Sequence, residues 1–438
     1  MNARRPVRRP APAPAPQTID VTITAVGARG DGLAQQGGVR LYVPFTIAGE
    51  RVSVRAGLGA AKEGKGEGVR AELLEIIEPS PHRVPPPCSH FGVCGGCTLQ
   101  HMDDGAYADW KVAQVRTVLD RVGLAGVPLH PLARTAPLGR RRARFAALKR
   151  GKRVWLGFNG RQSHRVADLA ECPVIHPALL GLLAPARELL AGILPDGGAC
   201  DLMVSVADGG LDLLLVGPPA LDRRARERLA VFAEDQKLAR VAWQAEDGGD
   251  SEPVAHRGGA TIRFGSAIIE PAPGAFQQAS DAGQAALTAA VVEAVGPGPK
   301  RIVDLFAGLG TFTFPLAERG TVHAVEGDAA ALASLSRGAA NRRITWERRD
   351  LFTDPLTVKE LDRFEAVVFD PPRAGAAAQA SALASSAVPL VVGVSCSPAT
   401  FARDARTLTD GGYRLTHVVP VDQFLWAAHV ELVGVFVR

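Results

Sequence analysis

Between residues 17 and 79 apolar and polar positions alternate in short runs. Ile19, Val21 and Ile23 are spaced by two, Leu41-Tyr42-Val43-Pro44-Phe45 follows, and Val52 and Val54 repeat the spacing. A period of two predicts half-buried strands, and Gly30, Gly32, Gly37 and Gly38 mark turns between them. About five short strands in roughly sixty residues predict a small β-barrel of the OB type. Pro79, Pro81, Pro85, Pro86 and Pro87 then form a stiff connector. From Ala106 to Val122 the period changes: Val112, Val115, Leu119 and Val122 recur at three and four and share one helix face. Residues 130–270 alternate strand and helix patterns, and from 271 a regular α/β pattern runs to residue 438. The expected fold class is α/β. A doubly wound sheet occupies 271–438, a central α+β domain 80–270, an N-terminal OB-like barrel 17–79, and residues 1–16 form a tail.

That tail is almost entirely Arg, Pro and Ala, which cannot bury a core and predicts disorder. The chain as a whole has 438 residues, 47% hydrophobic and 22% charged, which excludes a mostly disordered protein. Its most apolar stretch, Leu179 to Leu194, is broken by Arg187 and Glu188, so no bilayer-spanning helix is expected. The N-terminus has charges and no apolar secretory segment. A cytoplasmic, monomeric protein without membrane contact is therefore expected. The net charge is +5, but Arg4, Arg5, Arg8 and Arg9 carry four of those charges, so only local basic clusters speak about partners.

One such cluster runs from Arg140 to Arg165, with ten basic residues and no acid. Phe145, Trp155 and Phe158 are interleaved, a composition suited to RNA. Beside it lie cysteines in metal-ligand spacing. Cys88-x5-Cys94-x2-Cys97 offers three thiolates, Gly95-Gly96 lets the backbone wrap closely, and Cys172 is the candidate fourth ligand. Zinc or an iron–sulfur cluster would accept these four sulfurs. Cys200 fits no motif and reads as core.

The C-terminal pattern carries the ligand chemistry. The apolar run Ile302–Phe306 leads into Ala307-Gly308-Leu309-Gly310-Thr311 and a helix, the way α/β folds approach an adenosyl ligand. A dinucleotide fingerprint would place a third glycine where Thr313 stands. Glu326 ends the next strand, where an acid can take both hydroxyls of a ribose. Asp370-Pro371-Pro372-Arg373 ends another, and Ser395-Cys396-Ser397-Pro398 follows the strand Leu390–Val394. Cys396 is thus expected at the same sheet edge as Glu326 and Asp370, which favours a thiol nucleophile over inert core. Glu431 is the one acid in the apolar run Val430–Val437, where a carboxylate is costly unless paired or working, and it reads as a general base near Cys396.

These segments together resemble the RNA uracil-5-methyltransferase family. The motifs are Asp304-Leu-Phe-Ala-Gly-Leu-Gly-Thr-Phe-Thr, Val325-Glu326-Gly, Asp370-Pro-Pro-Arg-Ala-Gly, Val394-Ser-Cys396-Ser-Pro-Ala-Thr and His429-Val-Glu431. Pro273-Gly-Ala-Phe-Gln-Gln278-Ala-Ser280 resembles the family's Phe-x-Gln-x-Asn element, with Ser280 in place of Asn. Thr311 stands where the ribosomal enzymes have Asn. The resemblance implies S-adenosylmethionine (SAM) as methyl donor, held by Gln278, Phe306, Glu326, Asp350 and Asp370. It implies Cys396 as nucleophile and Glu431 as base. The subgroup resembled acts on 23S ribosomal RNA and carries an N-terminal TRAM domain. It also carries a 4Fe-4S cluster, which would be held here by Cys88, Cys94, Cys97 and Cys172. The alternatives are the same chemistry on a transfer RNA uridine, and a non-catalytic RNA-binding iron–sulfur protein.

Overall fold

The computed structural model describes residues 16–57, 68–217, 220–246 and 249–438. The predicted tail, apart from Pro16, and the basic loop residues Lys62 and Lys65 lie outside them. The described chain divides into two compact units. The smaller comprises residues up to Pro87 together with Thr98–Tyr107 and Trp426–Ala428; the larger takes the rest.

In the smaller unit the alternating segments form two sheets. Gln17–Thr22, Arg51–Ala56 and Glu72–Glu78 make an antiparallel three-stranded sheet, and four shorter strands between Ala25 and Arg70 make the second. Period-two burial follows the sequence pattern: Val21, Ile23, Leu41, Val43, Val52 and Val54 form one core. Arg83, in the proline-rich connector, donates to the buried Glu50 carboxylate (2.8 Å), which also accepts from the Ile47 amide. A buried carboxylate needs such partners to stay ionised.

Among the described residues the larger unit holds three sheets, one of them only the hairpin Ile262–Phe264 and Ala267–Ile269. The first has seven strands in the order Val166–Asp168, Arg153–Asn159, Arg142–Arg150, Ala199–Ala207, Gly210–Val216, Arg240–Gln244 and Ser251–His256. The helices Leu183–Ile193 and Arg223–Asp235 add their apolar faces to its core, built on Phe145, Leu156, Leu202 and Leu213. Cys200 is buried in the same core, where burial pushes its thiol up to about 12.

The second sheet has eight strands in the order Ile344–Arg348, Thr321–Glu326, Arg301–Leu305, Ala366–Phe369, Leu390–Ser395, Glu431–Val437, Arg414–Asp422 and Ala133–Arg134. The first five are mutually parallel, and Glu431–Val437 is antiparallel to both neighbours. The parallel strands are near-continuous Val, Ile, Leu and Ala runs because both faces are covered by helices.

The helix predicted over 106–122 spans Asp104–Arg121. Its buried face shares Val115 and Leu119 with the stripe read from the sequence, whereas Val112 and Val122 are only half-buried. Tyr107, Lys111, Val115 and Leu119, each four residues apart, are the fully buried positions. A lysine thus sits on the apolar face, and its ammonium is satisfied inside by Asp422 Oδ1 at 3.0 Å and by the His429 carbonyl. Val115 and Leu119 join the core of the eight-stranded sheet with Val303, Val367 and Leu432.

Candidate active site

Parallel strands deliver their carboxyl ends to one edge of a sheet, where ligands of open α/β folds bind. At that edge Phe306 follows its strand with φ of 60°, a left-handed conformation uncommon for a non-glycine residue and frequent at working sites. Gly308 also has positive φ, and a Cβ there would meet no atom of the chain within 4 Å, so room is left in front of the loop. Gly310 differs: a Cβ there would lie 2.4 Å from the Phe314 ring. One glycine leaves space and the other lets the following helix close up.

Glu326 is oriented by two backbone donors. Gly308 N–H donates to one carboxylate oxygen at 2.8 Å and Asp328 N–H to the other at 2.7 Å. Each oxygen keeps a lone pair for a ribose hydroxyl. Asp350 accepts from the Phe352 amide (3.0 Å) and the Thr353 hydroxyl (3.0 Å), and the Phe306 and Phe352 rings lie 5.5 Å apart. Phe352 is an exposed aromatic, a ready face for an adenine. Asp304, wholly buried, accepts from Thr313 Oγ1 (2.6 Å), and burial pushes its carboxyl up to about 7. The donors, acceptors and free space at this edge fit an adenosyl cofactor.

The antiparallel pairing fixes the second half of the site. Ser395 is paired with Leu432, so Glu431 at the start of its strand lies alongside Cys396 at the end of its own. Glu431 is 5% exposed, and burial pushes its carboxyl up to about 7 against the opposing pull of Gln423, Arg373 and Lys111. Burial pushes the Cys396 thiol up to about 11, helped by Glu431 and Asp370 and opposed by Arg373. Burial, then Glu431 and Asp304, raise the Asp370 carboxyl well above its ordinary value. His429 accepts at Nε2 from Arg373 at 3.2 Å and is held neutral, with burial taking its pKa down to about 4.

Gln278 belongs to the same network. Its Oε1 accepts from Gln423 Nε2 at 2.7 Å, and the same nitrogen donates to Glu431 Oε1 at 3.1 Å. Ser280 caps the helix Asp281–Val295 by accepting from the Gly283 amide at 3.0 Å. Asn and Ser are equivalent in that role, which explains the serine at this position.

The cysteines of the 88–97 loop adjoin Cys172. Gly95 N–H donates to the Asn159 carbonyl (3.0 Å), and a Cβ on Gly95 would meet that oxygen at 2.8 Å. Ser89 N–H donates to Glu171 (3.0 Å), and His90 Nε2 lies 3.1 Å from the Asp168 carbonyl. Cys94 accepts from the Gly96 amide at 3.4 Å; burial and then Cys172 and Cys88 raise its thiol, as burial and Cys172 raise Cys88. Cys88, His90 and Glu171 also present ligand atoms within 4.8 Å of one another. Thiols that raise one another's pKa are relieved by a shared cation, so this donor set fits a metal centre.

The basic run is not uniform. Arg141 is buried and spent within the protein: it bonds Asp281, Gln284 Oε1 (2.7 Å) and the Gln278 carbonyl (3.2 Å). Arg144 pairs with Asp201, Arg153 with Asp168, and Lys149 caps a helix through the Ala191 and Leu194 carbonyls. Arg150 and Lys152, at the hairpin turn, are exposed.

A family model described as tRNA (Uracil-5-)-methyltransferase matches residues 352–438. An "Uncharacterized RNA methyltransferase" of Brucella suis biovar 1 is 42% identical, covering 96% of this chain and 98% of the relative. The 23S rRNA (uracil(1939)-C(5))-methyltransferase of Halomonas elongata is 34% identical, covering 94% of this chain and 88% of its own. The chain belongs to the SAM-dependent RNA uracil-5-methyltransferase family. The fold of Pyrococcus abyssi tRNA (uracil-54, C5)-methyltransferase, solved with S-adenosyl-L-homocysteine, is shared with a TM-score of 0.75 at 23% identity, over 95% of this chain and 99% of that one. The larger unit's eight-stranded sheet is thus the class I methyltransferase fold, and the protein transfers a methyl group from SAM to carbon 5 of a uracil in RNA. No helix among the described residues is long and apolar enough to cross a membrane. Sequence reasoning missed Gln423, Lys111 and the internal role of Arg141. For the first two it offered no motif; for Arg141 it offered a misleading one.

Proposed function

We propose that Cys396 and Glu431 carry the chemistry as nucleophile and base. The observation behind this is the strand register that sets Glu431 beside Cys396, with Asp370 close enough to perturb the same thiol. Carbon 5 of uracil is too weak a nucleophile to take a methyl group unaided. The Cys396 thiolate adds to carbon 6, a carbon–sulfur bond forms, and the π pair moves onto the carbon 4 oxygen as an enolate. Bound SAM would supply the electrophilic methyl group to carbon 5, its sulfur–methyl bond breaking and S-adenosyl-L-homocysteine leaving with the electron pair. Glu431 removes the carbon 5 proton, the pair reforms the 5,6 double bond, and the thiolate leaves. Asp370 orients the uracil edge or the sulfonium side, and Arg373 favours the anionic thiol. Gln278, Phe306, Glu326, Asp350 and Asp370 hold the methyl donor. The target base is reached only outside its stack.

The N-terminal strands are read as a TRAM-type RNA-binding barrel. Cys88, Cys94, Cys97 and Cys172 are read as ligands of a 4Fe-4S cluster. The cluster staples the basic hairpin to the 88–97 loop, a structural role.

For the RNA, the reading we favour is a transfer RNA uridine, supported by the description of the matched family model. The 23S ribosomal RNA expected from the sequence is the second reading, favoured by the full-length similarity to the Halomonas enzyme. The test is to incubate the pure protein with labelled SAM and with transfer and ribosomal RNA from a strain lacking the gene. Label in 5-methyluridine of the transfer RNA is the expected result. Label confined to ribosomal RNA would establish the second reading, and no label in uridine would reject both.

A further inference from the structure

Gln423 follows the strand Arg414–Asp422, is 3% exposed, and belongs to no motif of the site. Its side chain makes three hydrogen bonds. Oε1 accepts from the Ala279 amide at 3.0 Å, and Nε2 donates to Gln278 Oε1 at 2.7 Å and to Glu431 Oε1 at 3.1 Å. The first bond decides the orientation of the whole chain of amides. A backbone N–H can only donate, so the Gln423 oxygen must face Ala279 and its NH2 must face the other two groups. Gln278 therefore spends its oxygen on Gln423 and keeps its NH2 to donate elsewhere. A ligand atom that meets the Gln278 NH2 is an acceptor.

The surroundings fix this arrangement from behind. Arg141 donates to the Gln278 carbonyl and bonds Asp281 and Gln284, and its own amide donates to the Ala279 carbonyl (2.9 Å). Gly283 lies against the Gln423 side chain, where a Cβ would come within 2.5 Å of the Gln423 Cβ. Gln423 is thus clamped between the helix that Ser280 caps and the strand that Glu431 begins.

We propose that Gln423 is a positioning residue that links the methyl-donor residue Gln278 to the base Glu431. It holds the carboxylate in one rotamer and favours its anionic, proton-accepting form. The proposal rests on the reading of Glu431 as base and goes beyond it, since it makes donor binding and proton removal share one amide. The other groups that bear on Glu431 are Arg373 and Lys111, which favour the anion, and Asp370 and Cys396 on the neighbouring strand ends.

The test uses Gln423→Leu and Gln423→Glu in the full chain, with Glu431→Gln alongside. The Glu variant keeps an acceptor for the Ala279 amide but cannot donate to Glu431. Adduct formation with RNA should stay near the wild-type rate in both. Release of methylated RNA should slow by roughly tenfold at neutral pH, and its acid limb should move up by about one pH unit, because Glu431 loses a donor to its charged form. KM for SAM should rise. If release, its acid limb and KM for SAM match wild type in both variants while Glu431→Gln stalls at the adduct, the link is overturned and the base stands. Normal turnover of Glu431→Gln overturns the base and the link with it. A fall in melting temperature with an unmoved acid limb makes Gln423 merely structural and rejects the proposal.

Discussion

Two groups of cysteines in the larger unit face the same physical problem in different company. Burial raises the thiol of Cys396 and the thiols of Cys88 and Cys94 alike. Around Cys94 the neighbours that raise it further are other thiols, Cys172 and Cys88; around Cys396 they are carboxyl groups, Glu431 and Asp370. Several soft donors that repel one another as anions are a demand for a cation. A single thiol among acids has no such solution. It stays protonated until an electrophile arrives, with Arg373 as the nearby charge that favours the anion. The number and kind of neighbours, more than the depth of burial, separate a ligand from a nucleophile.

The comparison is broken most directly at Cys396. Cys396→Ala should lower methylation by a factor on the order of 10^4 or more, form no covalent RNA adduct, and leave the iron content and melting temperature as in wild type. Iron loss in that variant would show that the two sites are not separate.

Glu431→Gln should slow turnover by about 10²- to 10⁴-fold. A methylated protein–RNA adduct should accumulate and survive denaturing electrophoresis, since the carbon 5 proton can leave only after the methyl group has arrived. In the wild type the release rate should fall as pH drops below about 7, because the raised Glu431 carboxyl is protonated there and cannot accept a proton. The Gln variant should lack that limb. Adduct decay in a chase with unlabelled RNA measures both.

Cys172→Ala should act on the other side. Protein prepared without air should be brown in the wild type and bleached in the variant. Its melting temperature should drop by several degrees, because binding energy of the group is folding energy. The residual methylation should track the folded fraction. Colourless wild-type protein holding one zinc per chain would remove the cluster reading.

The smallest effect is expected at the exposed hairpin turn of the basic run. Arg150→Glu with Lys152→Glu should weaken RNA binding by about tenfold and reduce its salt slope by roughly 1 to 2, with SAM affinity unchanged. Arg141→Glu should instead disturb the Gln278 segment and raise KM for SAM. An Arg141 variant with only an RNA defect would restore the simple view of the run as an RNA-facing strip.

Much of the catalytic sheet was legible because parallel strands buried on both faces leave short apolar runs, and the residues proposed for the chemistry lie in or next to them. Glu326, Asp370 and Cys396 each follow or end such a run, Asp304 lies inside one, and Glu431 begins one. What stayed hidden depends on who faces whom. Lys111 breaks the apolar stripe that periodicity looks for, yet it is buried because Asp422 and the His429 carbonyl meet it. Arg141 has the same composition signal as Arg150, and only its partners Asp281 and Gln284 distinguish the two. Gln423 has no signal in one dimension; its meaning lies in three hydrogen bonds to residues distant in the chain.

The smaller unit includes Trp426–Ala428, and there the Trp426 carbonyl accepts from the Thr98 and Leu99 amides while its own amide donates to the Tyr107 hydroxyl. During synthesis these three bonds cannot form when the N-terminal strands leave the ribosome. They wait for about three hundred further residues, roughly 15 to 60 seconds at ordinary elongation rates. The first-made part of the protein is therefore completed only near the end of synthesis, and a nascent chain halted before residue 426 presents the Thr98–Tyr107 segment without these partners to whatever chaperone or protease meets it first.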